Sequence, residues 1–147
     1  MYPALHEEVA VLLADDQLNF QFHGKDDDSC LKHDSTNLTG RFICRKKACA
    51  SSGWSSGVIP VTIRLYSERS YNARVYFQRC KQCNSLAKPK LDKTYAERVS
   101  RRLKIWSGVE VPTVNYQEKQ TERPHEEDLC EGCKVGRCPW GKAFNYY

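Results

Sequence analysis

The sequence predicts an α+β fold, and three observations predict it. Apolar and polar residues alternate over residues 59–65 and again over 73–77, the period of half-buried strands. Tyr95, Val99, Leu103 and Trp106 recur at i, i+4, i+8 and i+11, the spacing of one helix face. Eight cysteines gather mostly in close pairs near those strands, which suits a small core held by staples. With 147 residues and 40% apolar content, the chain is about one domain with a modest core.

Taken in order, residues 1–16 read as a short amphipathic helix. Pro3 suits its first turn, and Leu5, Val9, Leu12 and Leu13 share a face. Glu7 and Glu8 fall where the helix dipole favours anions. Leu18, Phe20 and Phe22 then alternate with polar residues as a strand. Asp26-Asp27-Asp28 lacks the ligand spacing of a calcium loop and reads as a solvated charge run. Asn37-Leu38-Thr39 matches a glycosylation sequon, which means nothing in the cytosol.

A second strand takes in Phe42 and Ile43 and ends at Cys44. A Ser/Gly-rich connection holding Trp54 leads to a long hairpin, with Pro60 near its start and a polar turn at 67–70. Its second strand runs into Cys80-Lys81-Gln82-Cys83. Residues 94–106 form the strongest helix, with a Thr94/Glu97 capping box and Gly108 as C-cap. Residues 109–124 are polar and unpatterned.

The cysteine spacing carries the chemistry. His125, Cys130, Cys133 and Cys138 fall within fourteen residues as His-x4-Cys-x2-Cys-x4-Cys. Zn²⁺ takes four N or S ligands in a tetrahedron, and a two-residue gap lets both sulfurs of a turn face one ion. Antiparallel strands bring their far ends together, so Cys44 and Cys49 can meet Cys80 and Cys83 at a second ion. Thirty residues separate those pairs, against about 15–20 in the usual ribbon spacing, and the Trp54 connection and long hairpin take up the excess. Without Cys30, seven cysteines and His125 make eight ligands, enough for two Zn²⁺ ions. A swapped arrangement, with Cys44/Cys49 facing Cys130/Cys133, uses the same ligand set. Cys30 and His33 have no neighbours in sequence that complete a third tetrahedron. The fold expected is therefore a small zinc-stapled domain, its hairpin bracketed by cysteine knuckles, with an N-terminal helix and a basic amphipathic helix.

These motifs resemble the 3CxxC-type zinc-finger family, known from fungal proteins and from animal receptor-transporting proteins. The matching stretches are Gly40-Arg41-Phe42-Ile43-Cys44, Ser52-Gly53-Trp54-Ser55-Ser56, residues 75–83, and residues 124–138. The sequence is closest to the fungal members. One departure is the first cysteine pair, with four intervening residues instead of two. Another is the absence of the C-terminal membrane segment that receptor-transporting proteins carry. The resemblance implies a zinc-binding domain over residues 40–138; the helix and strand read in residues 1–39 are expected to pack on it, and residues 139–147 to form a tail. It also implies zinc ligation without one settled activity, since relatives are associated with receptor escort and with RNA binding.

Charge is uneven along the chain. Residues 1–40 hold two Lys/Arg against eight Asp/Glu, residues 41–104 sixteen against three, and residues 105–147 five against seven. A middle segment so basic points to an anionic partner, although thiolate-bound zinc is itself anionic and absorbs part of that charge. The first-choice function is nucleic-acid binding, RNA or single strands before duplex DNA, with no recognition-helix pattern in view. Candidate contacts are Arg45, Lys46, Lys47, Arg74, Arg79, Lys81, Arg98, Arg101 and Arg102, with Trp54, Tyr66, Tyr71 and Tyr76 as stacking faces. The runner-up is a protein adaptor or escort module. An enzyme fits least, because both sites are filled by protein ligands and a catalytic zinc needs an open position. His125-Glu126-Glu127 before Cys130 and Cys133 only loosely resembles the zinc-deaminase signature. No run reaches the ~20 apolar residues of a membrane span and no secretory signal is visible, so the chain reads as intracellular, cytoplasmic or nuclear.

Overall fold

The computed structural model describes residues 1–44, 46, 49, 53–112 and 126–139. A 3-10 turn at Pro3–Leu5 opens helix α1 (His6–Ala14). Strands follow as β1 (Gln21–Phe22), β2 (Lys32–Phe42), β3 (Trp54–Tyr66), β4 (Ser70–Val75), β5 (Gln78–Arg79), β6 (Leu86–Ala87) and β7 (Pro89–Leu91). Helix α2 (Thr94–Trp106) and, after a 3-10 turn at Glu127–Leu129, the short α3 (Glu131–Lys134) complete the described elements. Five strands form a mixed sheet in the order β1-β4-β3-β2-β7, and β5 pairs with β6. β1 runs parallel to β4, whereas β7 is antiparallel to β2. The α+β class stands, and the expected hairpin lies within a five-stranded mixed sheet.

Two strands differ from expectation. β1 keeps only Gln21 and Phe22, while Leu18 lies before the ladder. β2 starts at Lys32, about ten residues upstream of the expected strand. Its first six residues are polar and only Leu38 and Phe42 are buried, so no two-residue rhythm announces it. The sequon falls inside this strand, with its middle residue, Leu38, fully buried.

By contact the chain divides into two compact units. The first comprises Met1–Asp34, Thr62–Arg74 and Lys93–Gln117. Here α1 packs on α2: Val9 and Leu13 are buried on one helix, and Tyr95, Val99 and Leu103 on the other. The expected α1 stripe narrows to Val9 and Leu13, with Leu5 and Leu12 half-buried. Tyr71 is fully buried, edge-on to Phe20 and Phe22, and its hydroxyl meets His6 Nδ1 at 2.7 Å. α2 ends as its composition requires: Gly108 takes φ +81°, and the Val109 N–H reaches back to the Lys104 carbonyl. The expected capping box is not formed, because Thr94 is already the first helical residue and Lys93 at the cap makes no side-chain cap bond.

The Asp26–Asp28 run, expected to be solvated, is a clamp instead. Arg64 is only 4% exposed and donates to the carboxylates of Asp26 and Asp28. Arg74 reaches Asp26 at 3.0 Å. Asn72 Nδ2 donates to the Lys25 carbonyl at 2.9 Å, and the Tyr66 hydroxyl donates to the Asp27 carbonyl. A buried guanidinium needs acceptors, and the acidic loop supplies them. A bond from the Ser29 hydroxyl, first among several, holds the Asp27 carboxyl down to about 2.

The second unit comprises Ser35–Val61, Val75–Asp92 and Glu118–Tyr147. Leu38, Phe42, Ile59, Val61 and Val75 are buried in it together with Cys80, Cys130 and Cys138. Trp54 stacks on Phe42, with centroids 5.1 Å apart and planes 11° apart. No helix among the described residues is long and apolar enough to cross a membrane.

Asp26→Asn is expected to cost about 1–2 kcal/mol in chemical denaturation, because it removes the charge of a half-exposed partner of buried Arg64 while Asp28 remains. For Asp27 the folded carboxyl sits below its ordinary value, so its contribution is complete above about pH 4 and is lost as pH falls toward 2. The melting-temperature gap between wild type and Asp27→Asn should therefore close over that window.

Candidate metal centre

Both cysteine groups lie in the second unit. Cys44 lies two residues beyond β2, and the Cys49 N–H bonds the Lys46 carbonyl at 2.9 Å. Cys80 follows β5 and opens a second turn. The Asn84 N–H returns to the Cys80 carbonyl at 2.8 Å, and the Cys80 N–H bonds the Ser85 carbonyl at 2.9 Å. This turn links β5 to β6 and points both of its sulfurs the same way. The four Sγ atoms of Cys44, Cys49, Cys80 and Cys83 all lie within 4.8 Å of one another. Cys44 and Cys83 approach to 3.4 Å, and Cys49 and Cys80 to 3.7 Å. Zn–S bonds of about 2.3 Å put tetrahedral sulfurs about 3.8 Å apart, so the donor set fits Zn²⁺. All eight cysteines are unbridged. Of the pairings left open by the sequence, the structure brings Cys44/Cys49 to Cys80/Cys83 and not to Cys130/Cys133.

Cys130, Cys133 and Cys138 form the second group, their sulfurs likewise within 4.8 Å. Cys130 and Cys138 are buried. His125, the expected fourth ligand, lies outside the described residues. The segment is fastened by backbone: Gln78 and Cys130 form an antiparallel bridge, and the Glu131 N–H bonds the Phe77 carbonyl at 3.1 Å. α3 then carries Cys133, and the Arg137 N–H bonds the Gly132 carbonyl at 2.8 Å, turning Cys138 back. Gly132 is there for space: a Cβ would stand 2.7 Å from Pro60 Cγ and 2.9 Å from Pro60 Cβ.

Sequence reasoning missed Gln78. Its amide accepts from Trp54 Nε1 at 3.0 Å and donates to Ser56 Oγ at 3.1 Å and to the Val58 carbonyl at 3.0 Å. It thereby locks β5, which carries Cys80 and receives Cys130, against the start of β3. A buried glutamine two residues ahead of a CxxC pair was the available signal.

Without metal, protons are unevenly held among the first four thiols. Hydrogen bonds from the Ser85 hydroxyl and backbone hold Cys83 down to about 6. The Cys80 thiol is also lowered, first by the Cys83 backbone N–H. Cys44 goes the other way: a Lys46 backbone bond lowers it, but the surrounding sulfurs, Cys83 foremost, outweigh this and push it up to about 12. Zinc needs thiolates, so binding here must displace protons.

The cations expected to meet nucleic acid are spread over both units. Arg45 and Lys47 lie outside the described residues, and Lys46 is exposed. In this unit Arg79 pairs with Glu131 at 3.0 Å and Lys81 with Glu126 at 2.7 Å. In the first unit Arg74 pairs with Asp26, Arg102 with Asp34 at 2.7 Å, and Arg101 donates to the Pro112 carbonyl at 3.3 Å. Arg98 is half-buried. Tyr66, Tyr71 and Tyr76 are buried and Trp54 is stacked and hydrogen-bonded, so these rings serve the core. Neither cysteine group includes Cys30 or His33 among the described residues.

A family model described as a zinc-binding domain, the 3CxxC zinc ribbon, matches residues 37–136, about two thirds of the chain and all the cysteines of both groups but Cys138. No curated protein and no solved structure matches the chain.

Metal analysis of the reduced protein should find two zinc ions per chain, and one after Cys80→Ser. Cys30→Ser should keep both. Gly132→Ala should weaken the second site, read as faster zinc loss to a chelator, because its Cβ collides with the Pro60 ring.

Proposed function

Because this chain belongs to the 3CxxC zinc-binding domain family, we infer that it is a non-catalytic module whose two zinc ions brace a surface for nucleic acid. Single-stranded or structured RNA is the preferred partner over duplex DNA. In the first site four thiols already saturate a tetrahedral ion, and with His125 the second does the same, leaving no position for water or substrate. His125, Cys130, Cys133 and Cys138 are assigned to one ion, and Cys44, Cys49, Cys80 and Cys83 to the other. The same reading puts the chain in a reducing compartment, cytoplasmic or nuclear, where thiols stay available to metal.

The observation that carries this reading is the charge of the metal-bearing unit. Its segments 35–61 and 75–92 hold eight Lys/Arg against a single acid, Asp92, while its segment 118–147 is nearly balanced, with five Lys/Arg against six Asp/Glu. Four thiolates with Zn²⁺ absorb a charge of only two, and Glu131 and Glu126 engage Arg79 and Lys81. By composition these segments keep a positive surplus, and a polyanion is what such a surplus attracts. A second reading, a protein adaptor, draws on the first unit, where Leu18, Phe20, Leu31 and Leu65 line an open cavity of about 340 Å³ and Leu31 is 68% exposed.

The zinc-loaded protein should bind a single-stranded RNA oligonucleotide with log K falling against log salt at a slope near −3, as about four phosphate contacts at about 0.7 each require. Fluorescence anisotropy from low to moderate salt measures it. No binding, or salt-insensitive binding, would favour the adaptor.

A further inference from the structure

We propose that the two metal sites fill cooperatively, and that Arg79 is the positioning residue through which each site prepares the other. Such coupling needs the two-zinc assignment and is independent of the partner. The sites meet at β5. Cys80, a ligand of the first site, directly follows Arg79 at the end of this strand. Cys130, a ligand of the second, bridges to Gln78, and the next N–H, of Glu131, bonds the Phe77 carbonyl at 3.1 Å. A strand of two residues has little stiffness of its own, so what fixes it on one side is felt on the other.

The Arg79 side chain spans the same gap. Its Nη1 donates to the Asn84 carbonyl at 3.0 Å, at the end of the turn that carries Cys80 and Cys83. Its Nε donates to Glu131 Oε1 at 3.0 Å, in the short helix that carries Cys133, and Lys134 holds the same oxygen. Asn84 closes the first turn with a left-handed φ of +59° and an N–H returned to the Cys80 carbonyl. A guanidinium is a rigid planar fork, so fixing one of its edges aims the other. When zinc draws Cys80 and Cys83 together, Asn84 is set, Arg79 is aimed, and Glu131 with its helix is received in place. The same sequence of contacts runs backwards from the second site.

An ion pair this open to solvent adds little stability alone. Its effect here is on order. Residues already fixed by one ion need not be fixed again by the other, and the saved entropy appears as affinity. Lys81 and Glu126 add a second tie at 2.7 Å, but Lys81 is largely exposed and its flexible ammonium imposes no direction. Coupling of this kind is reciprocal: the first ion strengthens the second by the factor with which the second strengthens the first.

The test titrates zinc into the full reduced chain in competition with a chromogenic chelator. Cys44→Ser/Cys49→Ser abolishes the first site and Cys133→Ser/Cys138→Ser the second, and both leave β5 unaltered. The product of the affinities measured in these two variants is compared with the two-ion affinity of the wild type. The wild-type value should exceed the product by about tenfold, within the usual range of coupling between sites. Introduced into all three chains, Arg79→Gln should bring that ratio near one. Arg79→Lys should do the same, because it keeps the charge but not the two-way reach. A wild-type ratio of one makes the sites independent and overturns the inference, while the two-zinc assignment stands. A ratio that survives Arg79→Gln, with affinities lowered evenly or not at all, assigns the coupling to backbone and overturns the role of Arg79. Wild type that takes up fewer than two ions removes the assignment beneath both.

Discussion

Four sulfurs converging on one point is the constraint from which the second unit follows. Cys44 and Cys83 are far apart in sequence, yet their sulfurs stand 3.4 Å from each other. Thiols make weak hydrogen bonds, so little in the cluster itself repays the ordering of two turns. Zinc does, with binding energies on the order of 10 kcal/mol per site in small modules. Given that point of closure, β5 and β6 need be only two residues each. The turn between them is defined by metal geometry, with the ladder as support.

The two units rest on different chemistry. The first is built like an ordinary small domain: two helices pack through Val9, Leu13, Val99 and Leu103, and a buried arginine is matched by an acidic loop. The second depends on sulfur, and on one amide. Gln78 satisfies three partners at once and also pairs through its backbone with Cys130. Buried polar groups of this kind are costly when incomplete and specifying when complete. Gln78 thus stands between the two cysteine groups: two residues from Cys80 in sequence, and bridged to Cys130 in space.

Much of this was legible in the chain. α2 matched its helical spacing end to end, because Tyr95, Val99 and Leu103 all face one core. The long hairpin and both cysteine groups followed from alternation and spacing. What stayed hidden was polar. β2 carries Ser, Thr and Asn where a strand reader wants Val or Ile, so pairing, not side-chain pattern, defines it. Asp26-Asp27-Asp28 looked like solvent-exposed charge because the arginine it holds, Arg64, lies 38 residues further along. The aromatics proposed as stacking faces were misleading for the same reason. Only tertiary contact distinguishes a tyrosine on a surface from Tyr71, which is fully buried.

The metal-bearing unit is assembled from three separated stretches of chain, and this has a consequence for how it is made on the ribosome. Its first ion cannot be captured until Cys83 has emerged, and its second must wait for Cys138. Until then the nascent chain presents lone thiol pairs, each able to hold an ion only loosely or to be oxidised. A cell short of zinc, or one under oxidative stress, would therefore damage this protein chiefly during synthesis, and finished copies far less.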